Sequence, residues 1–333
     1  MRISILIPSF NSSNFIGNCL SSVRLVSNVD FEILICDAST DGTKDIIASF
    51  KDLPIKLVSQ KKPGPFWARY SLLSEAKGDY VVFLDSDDAL LPVFFEKIVP
   101  CLLSTNCDLF VFDYYEMSAE GDVICRKGIY KGVFEDGLSN SDKLSQLLLI
   151  SDDYNDLWNK ILRRSLFSDF INTPPKKVVN WGEDKMILLS ISDKIEKVFY
   201  LPEPLYFYRI NEFGATKNYK ASYVGDFIEL SNFSLSKIQK SSKKIDSFKL
   251  YFLFYSRRLY DIISKMSKMK ISFKDYKTLS KQIQCSVSYA FFKTNYANFV
   301  FEIPSPKQKI IFRLFIKRRF WIIRFLSFVH NLF

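Results

Sequence analysis

Three carboxylates crowd into four residues where an apolar run ends. Tyr80–Leu84 stops on Asp85, Ser86, Asp87 and Asp88. Like charges at that spacing repel, so the cluster asks for a cation. Three chemistries use acids set this closely. A calcium loop of the EF-hand kind would begin at Asp85 and close at Glu96, but Leu90 stands where the turn glycine must be and Ala89 where a ligand should be. An aspartyl-nucleophile phosphatase, with its DxDx[TV] motif, needs Thr or Val where Ala89 stands, and the motif here follows three earlier strand-like runs. A DxD site, in which two carboxylates hold Mg²⁺ or Mn²⁺ against a nucleotide diphosphate, agrees with the preference of hard cations for oxygen ligands.

What the chain lacks narrows the choice. It has 11 glycines in 333 residues, no GxGxxG, and at Gly132–Gly137 only a near P-loop, with Leu138 where lysine is required. A diphosphate bound here needs a metal to neutralise most of its charge. The one histidine, His330, lies near the C-terminus. That excludes a Ser-His-Asp hydrolase and a zinc site of several histidines, and leaves a carboxylate as the general base. Glu183-Asp184, between Gly182 and an apolar helical stretch, is the second acid pair. Acids in a first helical turn also serve simply to complement the helix dipole, so the residues alone leave both roles open. Cysteines at 19, 36, 101, 107, 125 and 285 form no CxxC pair. With an N-terminal run too short for a signal peptide, they read as a reducing, cytoplasmic compartment.

The elements that must position these residues follow from hydrophobic patterning. Ile3–Ile7, Phe31–Cys36, Ile55–Val58, Tyr80–Leu84 and Leu109–Phe112 are apolar runs of strand length. Between them lie helical spacings over Phe15–Val26, from the Ser39–Asp41 caps to about Phe50, and over Phe66–Ala76. Alternation of this kind predicts a doubly wound, mostly parallel α/β sheet, with ligands outside the carboxyl ends of its strands. Three runs end on acids there: Asp37, Asp85 and Asp113. Residues 116–218 are less regular, with turns at Glu120-Gly121 and Asp136-Gly137 and a break at Pro174-Pro175. Beyond 219 helical spacing dominates, as in Phe248, Phe252, Tyr255 and Leu259.

ILIPSFNSSNFI (5–16), ILICDASTDGT (33–43), ARYSLLSEAKGDYVVFLDSDD (68–88) and WGEDKMILL (181–189), with LWNKILRRSLF (157–167) and LYFYR (205–209), resemble in order and spacing the family 2 inverting glycosyltransferases. The resemblance covers residues 1 to about 215. It implies an α/β GT-A fold, a nucleotide-sugar donor, usually a UDP-sugar, and a divalent cation, Mn²⁺ or Mg²⁺. On that basis residues 1–115 are the nucleotide-sugar-binding half, 116–218 the acceptor-binding half and 219–333 a helical extension. Asp37 matches the acid that hydrogen-bonds the donor's base, with Cys36 in place of a frequent first acid. Pro8, Phe10 and Asn11 match the loop flanking the nucleotide, Phe10 standing where tyrosine is frequent. Arg69 matches an arginine near the nucleotide, with Tyr70 replacing the asparagine that usually follows. Asp85 and Asp87 match the DxD pair, Asp87 on the metal and Asp85 on the ribose or metal. Asp184, beside Glu183, matches the catalytic base. Arg209 and Lys217 are candidates for charge on the leaving group; Trp158, Trp181 and Tyr206 are candidates for stacking on a sugar, or for core packing.

Of the net +10 charge, seven positive residues lie between Ile303 and Phe333, on Lys307, Lys309, Arg313, Lys317, Arg318, Arg319 and Arg324, with no acid among them. Arg313, Lys317 and Arg324 fall on one face of a continuous helix. The tail, residues 305–333, reads as an amphipathic helix lying on an anionic membrane surface; its large aliphatics argue against nucleic acid. The leading expectation is an inverting glycosyltransferase acting on a glycan or lipid-linked glycan of a surface polysaccharide, at the inner face of the plasma membrane. The alternatives are a Mg²⁺-dependent aspartyl-nucleophile phosphatase and a catalytically inactive, membrane-bound sugar-nucleotide binder.

Overall fold

The computed structural model describes residues 1–24, 29–118, 121–128, 137–140, 154–210, 220–240, 244–269 and 271–330. Val26, Glu120, residues 132–136 and Lys217, which carry some of the expectations above, lie outside them. The chain divides into two compact units. The first holds every described strand.

In the first unit β1 (Arg2–Ser9), β2 (Asp30–Asp37), β3 (Ile55–Leu57) and β4 (Tyr80–Phe83) pair in parallel in the order β3-β2-β1-β4. Helices α1 (Ile16–Arg24), α2 (Thr43–Ser49) and α3 (Pro65–Glu75) make the crossovers. Ile3, Ile5, Ile7, Ile33, Ile35 and Val82 are fully buried, as continuous apolar runs in a covered parallel sheet should be. Gly78 feeds β4 so closely past β1 that a β-carbon there would lie 2.7 Å from the Ser4 nitrogen and 2.9 Å from the Arg2 carbonyl.

Beyond β4 the sheet is mixed. The remaining strands are β5 (Ala89–Leu90), β6 (Leu109–Met117), β7 (Val123–Lys127), β8 (Gly137–Asn140), β9 (Lys160–Arg163) and β10 (Lys197–Arg209). β9 inserts antiparallel between β4 and β6; β10 runs parallel to β6 and antiparallel to β5 and β8. β10 contains Pro202 and Pro204, and its register on β6 shifts between Leu201 and Tyr206. Proline cannot donate to a ladder, so the strand bulges there. Past the bulge Tyr206 and Phe207 pair with β5, which starts immediately after the acid cluster. Helices α4 (Phe94–Thr105), α5 (Ser168–Asn172) and α6 (Glu183–Ile191) also belong to this unit.

One expected rim acid is corrected. β6 runs on to Met117, so Asp113 lies within the strand, 2% exposed, and accepts hydrogen bonds from Tyr200 Oη (2.7 Å) and Arg126 Nη2 (2.9 Å). It is a paired core charge, as a buried carboxylate must be.

The second unit contains residues 177–182 and the helices α7 (Tyr223–Lys240), α8 (Lys244–Lys268), α9 (Phe273–Gln284), α10 (Val287–Phe299), α11 (Pro306–Ile316) and α12 (Phe320–His330). Phe252, Tyr255 and Leu259 of α8 are fully buried. Ser272, Ser286 and Ser305 cap the starts of α9, α10 and α11. The tail is two helices and not one. The chain breaks at residues 317–319, where Arg318 takes φ 57°. Arg324 therefore does not share a helix face with Arg313 and Lys317; its guanidinium donates to the Ile271 carbonyl and lies over the Tyr276 ring. Much of the tail's apolar surface is spent inside this unit, where Phe312 meets Tyr260 and Phe292, and Phe315 meets Tyr289 and Phe320.

Candidate active site

Because β2, β1 and β4 are parallel neighbours, their carboxyl ends share one rim. A chain of hydrogen bonds ties that rim together. Ser39 Oγ donates to Asp37 Oδ1 (2.5 Å) and accepts from the Asn11 N–H (2.7 Å). Asn11 Oδ1 accepts from Thr40 N–H (2.9 Å), and Ser12 Oγ lies 2.6 Å from Ser86 Oγ in the acid cluster. Asn11 adopts φ 50°, a left-handed conformation that asparagine tolerates. The other oxygen of Asp37, Oδ2, is buried without a hydrogen-bond partner. Buried polar atoms are rarely left so, and an orphaned acceptor at a strand end points to a ligand donor. Pro8 is half-buried beside it, and the Phe10 ring is 68% exposed. Burial, followed by the Asp37 charge, pushes the Cys36 thiol up to about 11, so this residue brings no negative charge to the rim.

The three acids after β4 have different surroundings. Asp88 is 3% exposed, its Oδ1 accepting from the Arg209 N–H (2.7 Å) and its Oδ2 from Tyr206 Oη (2.8 Å). Tyr206 Oη in turn accepts from the Asp85 N–H (3.1 Å). Burial first, then Asp87 and Asp85, push the Asp88 carboxyl well above the usual carboxylate range. Asp88 shapes the turn; Asp85 and Asp87, both half-buried, are left to face the rim. Arg209 braces the same turn, donating from Nε to the Asp87 carbonyl (3.0 Å) and from Nη1 to the Ser118 carbonyl (3.2 Å).

Arg69, on α3 and 8% exposed, joins this cluster to the second acid pair. Its Nη2 is 3.1 Å from Asp85 Oδ1, its Nη1 3.1 Å from Glu183 Oε1 and its Nε 3.0 Å from Asp184 Oδ1. One guanidinium thus gathers Asp85 and, nearly a hundred residues later in sequence, the adjacent pair Glu183-Asp184. Burial works against its charge, but Asp184, Asp85 and Glu183 outweigh that and raise its pKa. Burial pushes Glu183 up to about 8 and Asp85 up to about 6, with Arg69 opposing in both. Gly182, at φ 86°, lets the chain turn into α6 so that both acids fall in its first turn.

Residues 4–170, half of the chain, match the sequence profile of glycosyl transferase family 2. The chain belongs to glycosyl transferase family 2. It is 26% identical over 223 residues to glycosyltransferase GlyA of Streptococcus pneumoniae serotype 4, covering 63% of this chain and 31% of GlyA. It is 32% identical over 124 residues to the Escherichia coli UDP-Glc:alpha-D-GlcNAc-diphosphoundecaprenol beta-1,3-glucosyltransferase WfgD, covering 37% of this chain and 49% of WfgD. The chain therefore spans about a third and about half of those two relatives. Residues 1–349 of S. aureus TarS, solved in complex with UDP, align with a TM-score of 0.71 at 17% identity, over 99% of this chain and 91% of that one. That likeness is one of fold, and the fold is the GT-A architecture expected from the sequence. Membership of family 2 favours a transferase over the phosphatase.

Within this family 2 site, two aromatic candidates have no open face for a sugar. Trp158 is 5% exposed, stacked on Tyr206 and Tyr208 with Tyr114 edge-on at 4.6 Å. Tyr206 is fully buried. Trp181 belongs to the helical unit, where its ring lies 5.3 Å from Tyr223 in parallel and 4.3 Å from the Arg258 guanidinium carbon. Lys160, at the start of β9, was not picked out from the sequence. It is fully buried, and burial lowers it to about 8 against the opposing charges of Asp156 and Asp184. A lone lysine heading an apolar strand reads as a solvated strand end; nothing local announces its burial.

Proposed function

We propose that this chain transfers one sugar, with inversion, from a UDP-sugar to a hydroxyl of a glycan or lipid-linked glycan acceptor in surface polysaccharide synthesis. The observation that carries the reading is the Arg69 bridge, which puts the DxD acid Asp85 and the acid pair Glu183-Asp184 on one guanidinium. Donor chemistry and proton removal belong together in a direct displacement. UDP appears in the names of WfgD and of the TarS complex, and supports a uridine donor here.

Each residue then has a task. The orphaned Asp37 Oδ2 accepts an N–H of the base, and the exposed Phe10 ring flanks it. Asp85 and Asp87 would hold Mn²⁺ or Mg²⁺. The donor set fits: both acids offer only oxygen, and a cation beside Asp85 offsets the burial that drives it up to about 6. Among the described residues no three His, Cys, Asp or Glu side chains converge to enclose an ion, which suits a site completed by diphosphate oxygens. When bound, the ion supplies charge neutralisation for the departing diphosphate. Asp184, ion-paired with Arg69 through one oxygen and hydrogen-bonded by the Leu157 N–H at the other, takes the acceptor hydroxyl's proton. The acceptor oxygen bonds to the anomeric carbon as the bond to the diphosphate oxygen breaks, and that electron pair leaves with UDP. Calorimetric titration of UDP with and without Mn²⁺ tests this. Binding should require the metal and weaken at least about tenfold in Asp87→Ala; metal-independent binding, unchanged in that variant, would sink the DxD assignment.

The reading includes the membrane. Among the described residues no helix is long and apolar enough to cross a bilayer. Trp321 (59% exposed) and Phe325 (58%) lie one turn apart on α12, next to exposed Arg313, Lys317, Arg318 and Arg319. Aromatic anchors beside cations suit peripheral attachment to an anionic surface at the inner face of the plasma membrane. The double variant Trp321→Ser/Phe325→Ser should lose at least about tenfold in partitioning to phosphatidylglycerol vesicles. Its melting temperature should not change, since both rings are solvent-facing. Equal partitioning of wild type and variant would remove the tail from the argument.

A further inference from the structure

The peptide joining Asp156 to Leu157 is held at both ends. Its carbonyl accepts from Lys160 Nζ, and its N–H donates to Asp184 Oδ2 (3.2 Å). Lys160 and Asn159 are both fully buried, and Lys160 Nζ also donates to Asn159 Oδ1 (2.6 Å). Asn159 turns its oxygen to this ammonium and leaves Nδ2 without a hydrogen-bond partner. An unsatisfied buried donor costs free energy, as does a buried ammonium. An apolar residue at the head of β9 would carry neither cost. The arrangement makes physical sense if the charge acts on something: the carboxylates it meets are Asp156 first and then Asp184, and of these Asp184 is the one that the Asp156–Leu157 peptide also holds.

We propose that Lys160 is a positioning residue for Asp184, acting through the Asp156–Leu157 peptide. This rests on the assignment of Asp184 as base. The ammonium fixes the rotation of the peptide plane by holding its oxygen. It also polarises the amide, because hydrogen bonds in a chain strengthen one another in a low-dielectric interior. The polarised N–H then holds Asp184 Oδ2 by a directed hydrogen bond, while Arg69 Nε, 3.0 Å from Oδ1 but making no hydrogen bond to it, contributes charge on the other side. Errors of about 1 Å in a reacting group cost on the order of 10²-fold in rate.

The test is a double-mutant cycle on the full chain, read as UDP release from UDP-glucose or UDP-N-acetylglucosamine by transfer to water. Lys160→Met should lower kcat by about 10- to 100-fold, with UDP affinity by calorimetry within about twofold of wild type. Lys160→Gln keeps an N–H donor and should lose less. In an Asp184→Asn background neither change should cost more, because the contact they support has no base left to position. A structural role alone would give the same loss in both backgrounds, and that result overturns the proposal. So does full kcat in both Lys160 variants beside an inactive Asp184→Asn. Full activity in Asp184→Asn itself overturns the base assignment, and the relay with it. Should Lys160→Met show no cooperative melting transition, Lys160→Gln carries the same comparison.

Discussion

Asp184→Asn should reduce transfer by on the order of 10³-fold and leave UDP binding within about twofold of wild type. The amide has the same shape and can still accept from the Leu157 N–H, but it cannot take a proton from the acceptor. The partner acid gives the contrast. Burial pushes the Glu183 carboxyl upward against the opposing Arg69 charge, which favours its neutral form over the carboxylate that a base needs. Glu183→Gln, which copies the neutral carboxyl, should therefore cost no more than about tenfold. UDP release at pH 7 for the two variants, with calorimetry as a control on folding and donor binding, decides the matter. The reverse ranking would move the proton transfer to Glu183 and require its carboxyl to ionise once substrate is bound.

The nucleotide rim was legible because a buried parallel strand writes itself as a continuous apolar run. Ile3–Ile7, Phe31–Cys36 and Tyr80–Leu84 became β1, β2 and β4, and the acids that end two of those runs stand at the rim. Where pairing is mixed the same logic loses force. Asp113 read as a strand end because the run before it is apolar, yet β6 continues through it, and its partners Arg126 and Tyr200 come from strands that no local pattern assigns to it. β9 and the proline-bulged β10 are set by contacts far apart in sequence, so the insertion of β9 beside β4 was out of reach. The tail shows a different limit. An amphipathic segment reports that one face must be covered, but not by what. In α11 and α12 part of that face is covered by α8 and α10 aromatics, while Ile310, Trp321 and Phe325 are exposed. Lys160 and the Arg69 bridge are the extreme case: their meaning lies wholly in which distant carboxylates the fold brings to them.

Arg69→Met should destabilise the first unit by about 3–5 kcal/mol, the cost typical of removing one partner from a buried ionic cluster. Three carboxylates converge on this side chain, and Met fills its volume without its charge. The pH dependence separates charge from packing. Glu183 rises from an ordinary 4.5 to about 8 on folding, and Asp85 from 3.8 to about 6. Between those limits the folded chain holds protons that the unfolded chain releases. Stability from these groups is thus fully present below their unfolded values and is lost as pH rises through about 6 and then about 8. Arg69 is the influence that lowers both. Without it they move higher still, and the wild-type advantage should be small near pH 4 and grow toward pH 8. Urea unfolding of both proteins across that range measures the difference directly. Arg69→Lys should fall between them, since a single ammonium cannot reach three carboxylates as a planar guanidinium does. A deficit that stays constant with pH would mean that the volume of Arg69, not its charge, holds the acids together, and the electrostatic coupling of Asp85 to Asp184 would have to be abandoned.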